Sequence, residues 1–191
     1  MTGINNAKIA LLVEGYPRLG FETYRKMLAD GTPGLCITRL HPRYLNEKYG
    51  ISGGSFLWLT GNAAEGAVSP KNPKKLLRTI KELAAKESGL TVFLDGLEYL
   101  LLFNDMRKMI SLLEEMGDAL AKKGGRMVIS IDPLTFEQND LVRLWEAFPM
   151  EQKVIRSEIT MVAPQNAPFK SSSAGRMPVG MMGNEVVTAT P

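Results

Sequence analysis

The residues with the clearest chemical potential lie in two places. Gly15, Pro17 and Gly20 punctuate EGYPRLG, directly after the apolar run KIALLV, and Asp95 closes the apolar part of TVFLDGLEYL. A strand that enters a glycine loop and then a helix is the geometry that wraps phosphates in backbone N–H groups at a helix N-terminus. An acidic residue ending a buried strand is, in many nucleotide-hydrolysing α/β proteins, the group that orders Mg²⁺ beside that phosphate. The chemistry these two places could perform together is nucleotide binding.

The details argue against it. The position after the last glycine, where a Lys should reach the β- and γ-phosphates, holds Phe21, and the next, where a hydroxyl should touch Mg²⁺, holds Glu22. A carboxylate there repels a polyphosphate, although a helix N-terminus tolerates an acidic side chain. The loop of Gly15, Pro17 and Gly20 is therefore expected not to bind ATP productively. Asp95 and Glu98 together form a candidate metal remnant. The competing expectation is that Asp95 caps the following turn at Gly96 or pairs with Arg39, and that Glu98 pairs with Arg39; two side chains offer few ligands for a hard cation. One histidine, His41, and one cysteine, Cys36, cannot assemble a His/Cys metal cluster within one chain. His41 reads as a surface or capping residue, and Cys36 as a small core hydrophobe.

The elements that must position these residues alternate strand and helix. The predicted strands are KIALLV, GLCIT, SFLWLT, TVFLD and RMVISI. Short apolar runs of this kind suit strands buried on both faces of a parallel sheet. Helical spacing follows the glycine loop at Phe21, Tyr24, Met27 and Leu28, with Gly31 as the stop. Pro42 opens a helix that Gly50 closes. Residues 61–71 read as a loop of small residues, after which Asn72 and Pro73 cap and start a helix with Leu76, Leu77, Ile80, Leu83 and Ala84 on one face. Its other face carries Lys74, Lys75, Arg78, Lys81 and Lys86. A further helix is marked by Met106, Met109, Ile110, Leu113, Met116 and Leu120, ending near Gly124. Asp132 and Pro133 are expected to start the last helix, with Leu141, Leu144, Trp145 and Phe148 as its apolar stripe. Trp58 is expected in the core. KVIRSEITMV has the weak alternation of an edge strand, and from Ala163 the chain is rich in Pro, Gly, Ser, Asn and Met without periodicity. The expected organisation is a lead of residues 1–7, one α/β domain of residues 8–162 and a flexible tail of residues 163–191.

The order GYPRLGFET, GLCITRLHPRYLNEKYG, SFLWLT, TVFLDGLEYL and MVISIDP resembles the archaeal family catalogued as domain of unknown function 835. That family looks like a degenerate branch of the RecA-like ATPases related to the circadian-clock ATPase KaiC. The resemblance covers roughly residues 8–150, and its more specific parts are DGLEYL and ITR followed by HP. It implies a three-layer α/β sandwich with a mainly parallel, RecA-like sheet. In active KaiC-like proteins the second strand leads into acidic residues that activate water; here it ends in Thr38, Arg39 and Leu40. The resemblance thus implies loss of both the phosphate-gripping Lys and the general base, with Asp95 at the metal-ordering position. It points to a non-catalytic interaction or sensory module in archaeal signalling, with no cofactor and a protein partner. The alternative is a weak nucleotide hydrolase using ATP, Mg²⁺ and Asp95.

Composition bounds the rest. A hydrophobic share of 45% suffices for a substantial core, and a net charge of +3 from 23 basic and 20 acidic residues argues for neither nucleic acid nor a membrane surface. The apolar runs fall far short of the roughly 20 residues of a membrane-spanning helix. With a single cysteine and no secretory pattern at the start, a reducing cytoplasm is the expected compartment. A homo-oligomer is left open.

Overall fold

Six strands pair side by side in the order β1-β6-β5-β2-β3-β4, and every pairing is parallel. This computed structural model describes residues 7–150. The strands are β1 (Ile9–Val13), β2 (Gly34–Thr38), β3 (Ser55–Leu59), β4 (Ala67–Val68), β5 (Thr91–Asp95) and β6 (Arg126–Ile131). The helices are α1 (Arg18–Ala29), α2 (Pro42–Tyr49), α3 (Pro73–Lys86), α4 (Leu97–Leu101), α5 (Met106–Ala121) and α6 (Gln138–Ala147). The expected α/β sandwich with a parallel sheet is the observed architecture.

The strands are mostly apolar because both faces of the sheet are covered. Successive residues of β5 separate cleanly: Val92 and Leu94 join the core shared with α3, α4, α5 and α6, and Phe93 joins the one shared with α1 and α2. In the same way Leu11 faces the first core and Leu12 the second. Two cores on opposite sides of one sheet make three layers.

Several helix ends follow the sequence closely. Gly50, at φ 63°, closes α2, and His41 starts it, its Nδ1 accepting the Arg43 N–H at 3.2 Å. Cys36 is fully buried. Other expectations need correcting. The expected loop of residues 61–71 contains β4, a two-residue strand on the outer edge of β3, too short to show a period. Asn72 stands before α3, but its side chain makes no capping hydrogen bond. The helix expected from Asp132 is broken: a 3₁₀ turn, Pro133–Thr135, is closed on itself by Asp132 Oδ1 accepting the Leu134 N–H and by Thr135 Oγ1 donating to the Asp132 carbonyl. Phe136 is then extended and packs on the core, so α6 begins afresh at Gln138. Trp145 is not in the buried stripe, which Leu141, Leu144 and Phe148 fill; it is 41% exposed. Trp58 is half-buried because its Nε1–H donates to the Arg39 carbonyl at 3.0 Å and its ring meets the edge of His41. Residues 1–6, the predicted edge strand in 153–162 and the predicted tail of residues 163–191 lie outside the described residues.

Candidate functional site

The carboxyl ends of β1, β6, β5 and β2 open into a cleft of about 320 Å³, lined by Glu14, Tyr16, Pro17, Arg39, Asp95 and Ser130 among others. From β2 the chain moves outward to β3, and from β5 it moves the other way to β6, so the cleft borders the point where strand order reverses. Open α/β sheets place their ligands at such points.

The glycine loop forms one wall, and an internal anion fills its centre. Glu14, the residue after β1, is 6% exposed. Its carboxylate accepts the Leu19 N–H at 2.9 Å, the Gly20 N–H at 3.2 and 3.3 Å, and the Ser130 hydroxyl at 2.7 Å. Leu19 and Gly20 belong to the first turn of α1, whose preceding residue, Pro17, supplies no capping side chain. Those N–H groups are the donors that a bound phosphate uses at a helix N-terminus. Gly20 is needed because a Cβ there would stand 2.6 Å from Phe93 Cε2 and 2.7 Å from Glu14 Oε1. Gly15, by contrast, is exposed and meets nothing within 4 Å. Burial pushes the Glu14 carboxyl above its ordinary value, against the lowering by its three donors, and the nearby Asp95 adds to the rise.

The side chains that replace the phosphate-binding pair are committed elsewhere. Phe21 is fully buried, its ring 5.2 Å from Phe93 and 4.8 Å from Tyr49, so it anchors α1 to the sheet. Glu22 pairs with Arg18 at 3.1 Å along α1. Over the loop, Lys48 of α2 donates to Tyr16 Oη at 3.0 Å, with its Nζ 4.8 Å from the Tyr16 ring and 5.2 Å from the Tyr44 ring. The ammonium lowers the Tyr16 phenol below its ordinary value.

Asp95 lies across the cleft at the end of β5, mostly buried. Its Oδ2 accepts the Thr38 hydroxyl at 2.7 Å, and that hydroxyl in turn accepts the Leu40 N–H at 3.0 Å. The chain of bonds joins the ends of β5 and β2. Of the two structural roles expected for Asp95, capping the Gly96 turn or pairing with Arg39, neither is its hydrogen bond; Thr38, buried beside it, is the partner. Arg39 pairs instead with Glu98 at 3.0 Å, as the sequence suggested, and lies 5.1 Å over the Tyr99 ring. Gly96, at φ 107°, makes room for this: a Cβ would come within 2.9 Å of Arg39 Cγ. Burial pushes Asp95 up to about 6; Thr38 and Arg39 pull it down, and Glu98 pushes it further up.

Four carboxylates, Glu14, Asp95, Glu98 and Asp132, thus face one guanidinium, Arg39, around the cleft. That balance favours a cationic or neutral polar group over a polyphosphate. Among the described residues no three His, Cys, Asp or Glu side chains are grouped to hold a metal ion. Arg39, Asp95, Glu98, Gly15 and Pro17 all line the cleft, and Gly20 stands behind it. Sequence reasoning missed Glu14 and Ser130. The available signal was an acidic residue between a buried strand and a helix whose N-cap position is a proline.

The model of a family described as a protein of unknown function (DUF835) matches residues 19–148. No curated protein matches the chain. No helix among the described residues is long and apolar enough to cross a membrane.

Proposed function

The chain belongs to the DUF835 family, and we propose that this domain is a non-catalytic descendant of KaiC-like, RecA-like ATPases that acts as a protein-interaction or sensory module in archaeal signalling. The observation that carries the reading is Glu14: its carboxylate already accepts the Leu19 and Gly20 N–H groups that a phosphate would need. A nucleotide would have to displace a buried, triply hydrogen-bonded carboxylate while bringing its own negative charges among four others. The position directly after Gly20 holds Phe21, so no lysine stands there to offset that cost. The RecA-like ancestry rests on the motif order that leads from the glycine loop to Asp95. A protein partner is inferred from the same resemblance, and a cytoplasmic setting from the single cysteine.

The second reading, a weak nucleotide hydrolase, draws on one observation: Asp95 and the glycine loop share the same cleft. Calorimetric titration of the full chain with ATP, ADP and GTP, with and without Mg²⁺, separates the two. The module reading expects no saturable heat into the millimolar range. A Mg²⁺-dependent isotherm in the micromolar range, about 8 kcal/mol of binding free energy, would overturn the module reading and favour the nucleotide hydrolase.

A further inference from the structure

We infer that the cleft between the starts of α3 and α5 docks an acidic, partly apolar segment of a partner protein. The inference rests on the interaction-module reading and gives the partner a chemistry. This cleft, about 310 Å³, shares no lining residue with the one that holds Glu14 and Asp95. Met109 and Leu112 lie in its lining beside Phe103, with the lysines Lys71, Lys74 and Lys108 around them.

Two features make the site unusual on this surface. First, among the described residues none of these three lysines forms an ion pair, whereas farther along α3 Arg78 and Lys81 meet Glu82 and Glu115. The one acid of the cleft, Asp105, is engaged: its Oδ1 accepts the Lys108 N–H at 3.1 Å. The first turn of α3 has neither a side-chain cap nor an acidic residue, which adds potential of the same sign. Second, the positive charge surrounds apolar surface. Phe103 is 45% exposed and its neighbour Leu102 is 73% exposed, and the Lys71 ammonium sits 5.5 Å over the Phe103 ring. The loop between them and α5 is fixed, because Asn104 Nδ2 donates to the Pro70 and Leu100 carbonyls at 2.8 and 2.6 Å. A site held in shape before binding loses less entropy on binding.

An acidic peptide with apolar residues between its carboxylates complements both features at once: its acids meet the lysines and its apolar groups cover Phe103 and Leu102. Inorganic phosphate or a nucleic-acid backbone would use the lysines and leave the apolar surface in water.

The test is selection of a displayed random-peptide library on the full chain, repeated on Lys71→Glu/Lys74→Glu/Lys108→Glu and on Phe103→Ala. All these side chains are exposed, and matching melting temperatures confirm folding; the corresponding Lys→Gln triple variant replaces the first if charge reversal unfolds it. The expected result is enrichment of peptides that combine Asp or Glu with Leu or Phe. In anisotropy titrations their affinity should fall at least about tenfold on the lysine variant and by about tenfold on Phe103→Ala. Enriched peptides without an acidic excess, equal binding to the lysine variant, no effect of Phe103→Ala, no enrichment at all, or tighter binding of a single-stranded oligonucleotide would each overturn the proposal. A negative outcome here beside a silent nucleotide titration removes this docking site and leaves the non-catalytic reading standing.

Discussion

Glu14 shows how one side chain can close a ligand site from within. Its carboxylate provides what a phosphate would provide, charge and acceptors at the N-terminus of α1, and it is tethered there by its own strand. Replacement by Ala strands the Leu19 and Gly20 N–H groups and the Ser130 hydroxyl. Glu14→Ala should therefore lose about 1–3 kcal/mol of stability in denaturant unfolding. It should also gain what the parent lacks: millimolar inorganic phosphate should raise the melting temperature of Glu14→Ala and leave that of the parent unchanged. A parent stabilised by phosphate as strongly as the variant would mean that the loop is open and that Glu14 is not its plug.

At the scale of elements, α1 is placed by two neighbours in sequence that work by opposite means. Phe21 inserts an aromatic ring between Phe93 and Tyr49, and Gly20 removes a side chain so that helix and sheet approach. Gly20→Ala would push a methyl group into Phe93 and the Glu14 carboxylate, and should destabilise by about 1–3 kcal/mol even though alanine is the better helix former. A neutral or stabilising result in chemical denaturation would show that α1 is free to shift. The start of α5 gives a milder comparison. There Asp105 caps the helix through the Lys108 N–H, and Asp105→Ala should cost about 1 kcal/mol, without any rearrangement of the sheet.

For the molecule as a whole, two buried carboxyls set a dependence on pH. Asp95 is raised from 3.8 to about 6, and Glu14 moves in the same direction. A carboxyl with a higher value folded than unfolded holds its proton more firmly in the folded state, so ionising it weakens the fold. The contribution of these two groups is therefore greatest below about pH 4 and is lost as pH rises through about 6. The melting temperature should accordingly slope downward over that window. Asp95→Asn keeps an acceptor for the Thr38 hydroxyl and removes the buried charge, so it should flatten the slope and add about 1–3 kcal/mol at pH 7.5. An unchanged slope would assign the effect to other groups.

The sequence by itself determined the layers. Continuous apolar runs such as TVFL require cover on both faces, and glycines such as Gly31 and Gly50, at φ 79° and 63°, end helices where the chain must turn left-handed. It also identified the loop and Asp95, because each depends on a short motif or a strand end. Only the tertiary structure decided what these residues touch. Ser130 reaches Glu14 from 116 positions away and Thr38 reaches Asp95 from 57, contacts that exist because the crossover from β1 to β2 leaves room for β6 and β5 to enter between them. No local spacing encodes such a meeting. The exposed Trp145 escaped for a related reason: its burial depends on how much of the neighbouring surface is already covered. The two-residue β4, by contrast, is too short to show a period, and the start of α6 is broken by the local bonds of Asp132 and Thr135.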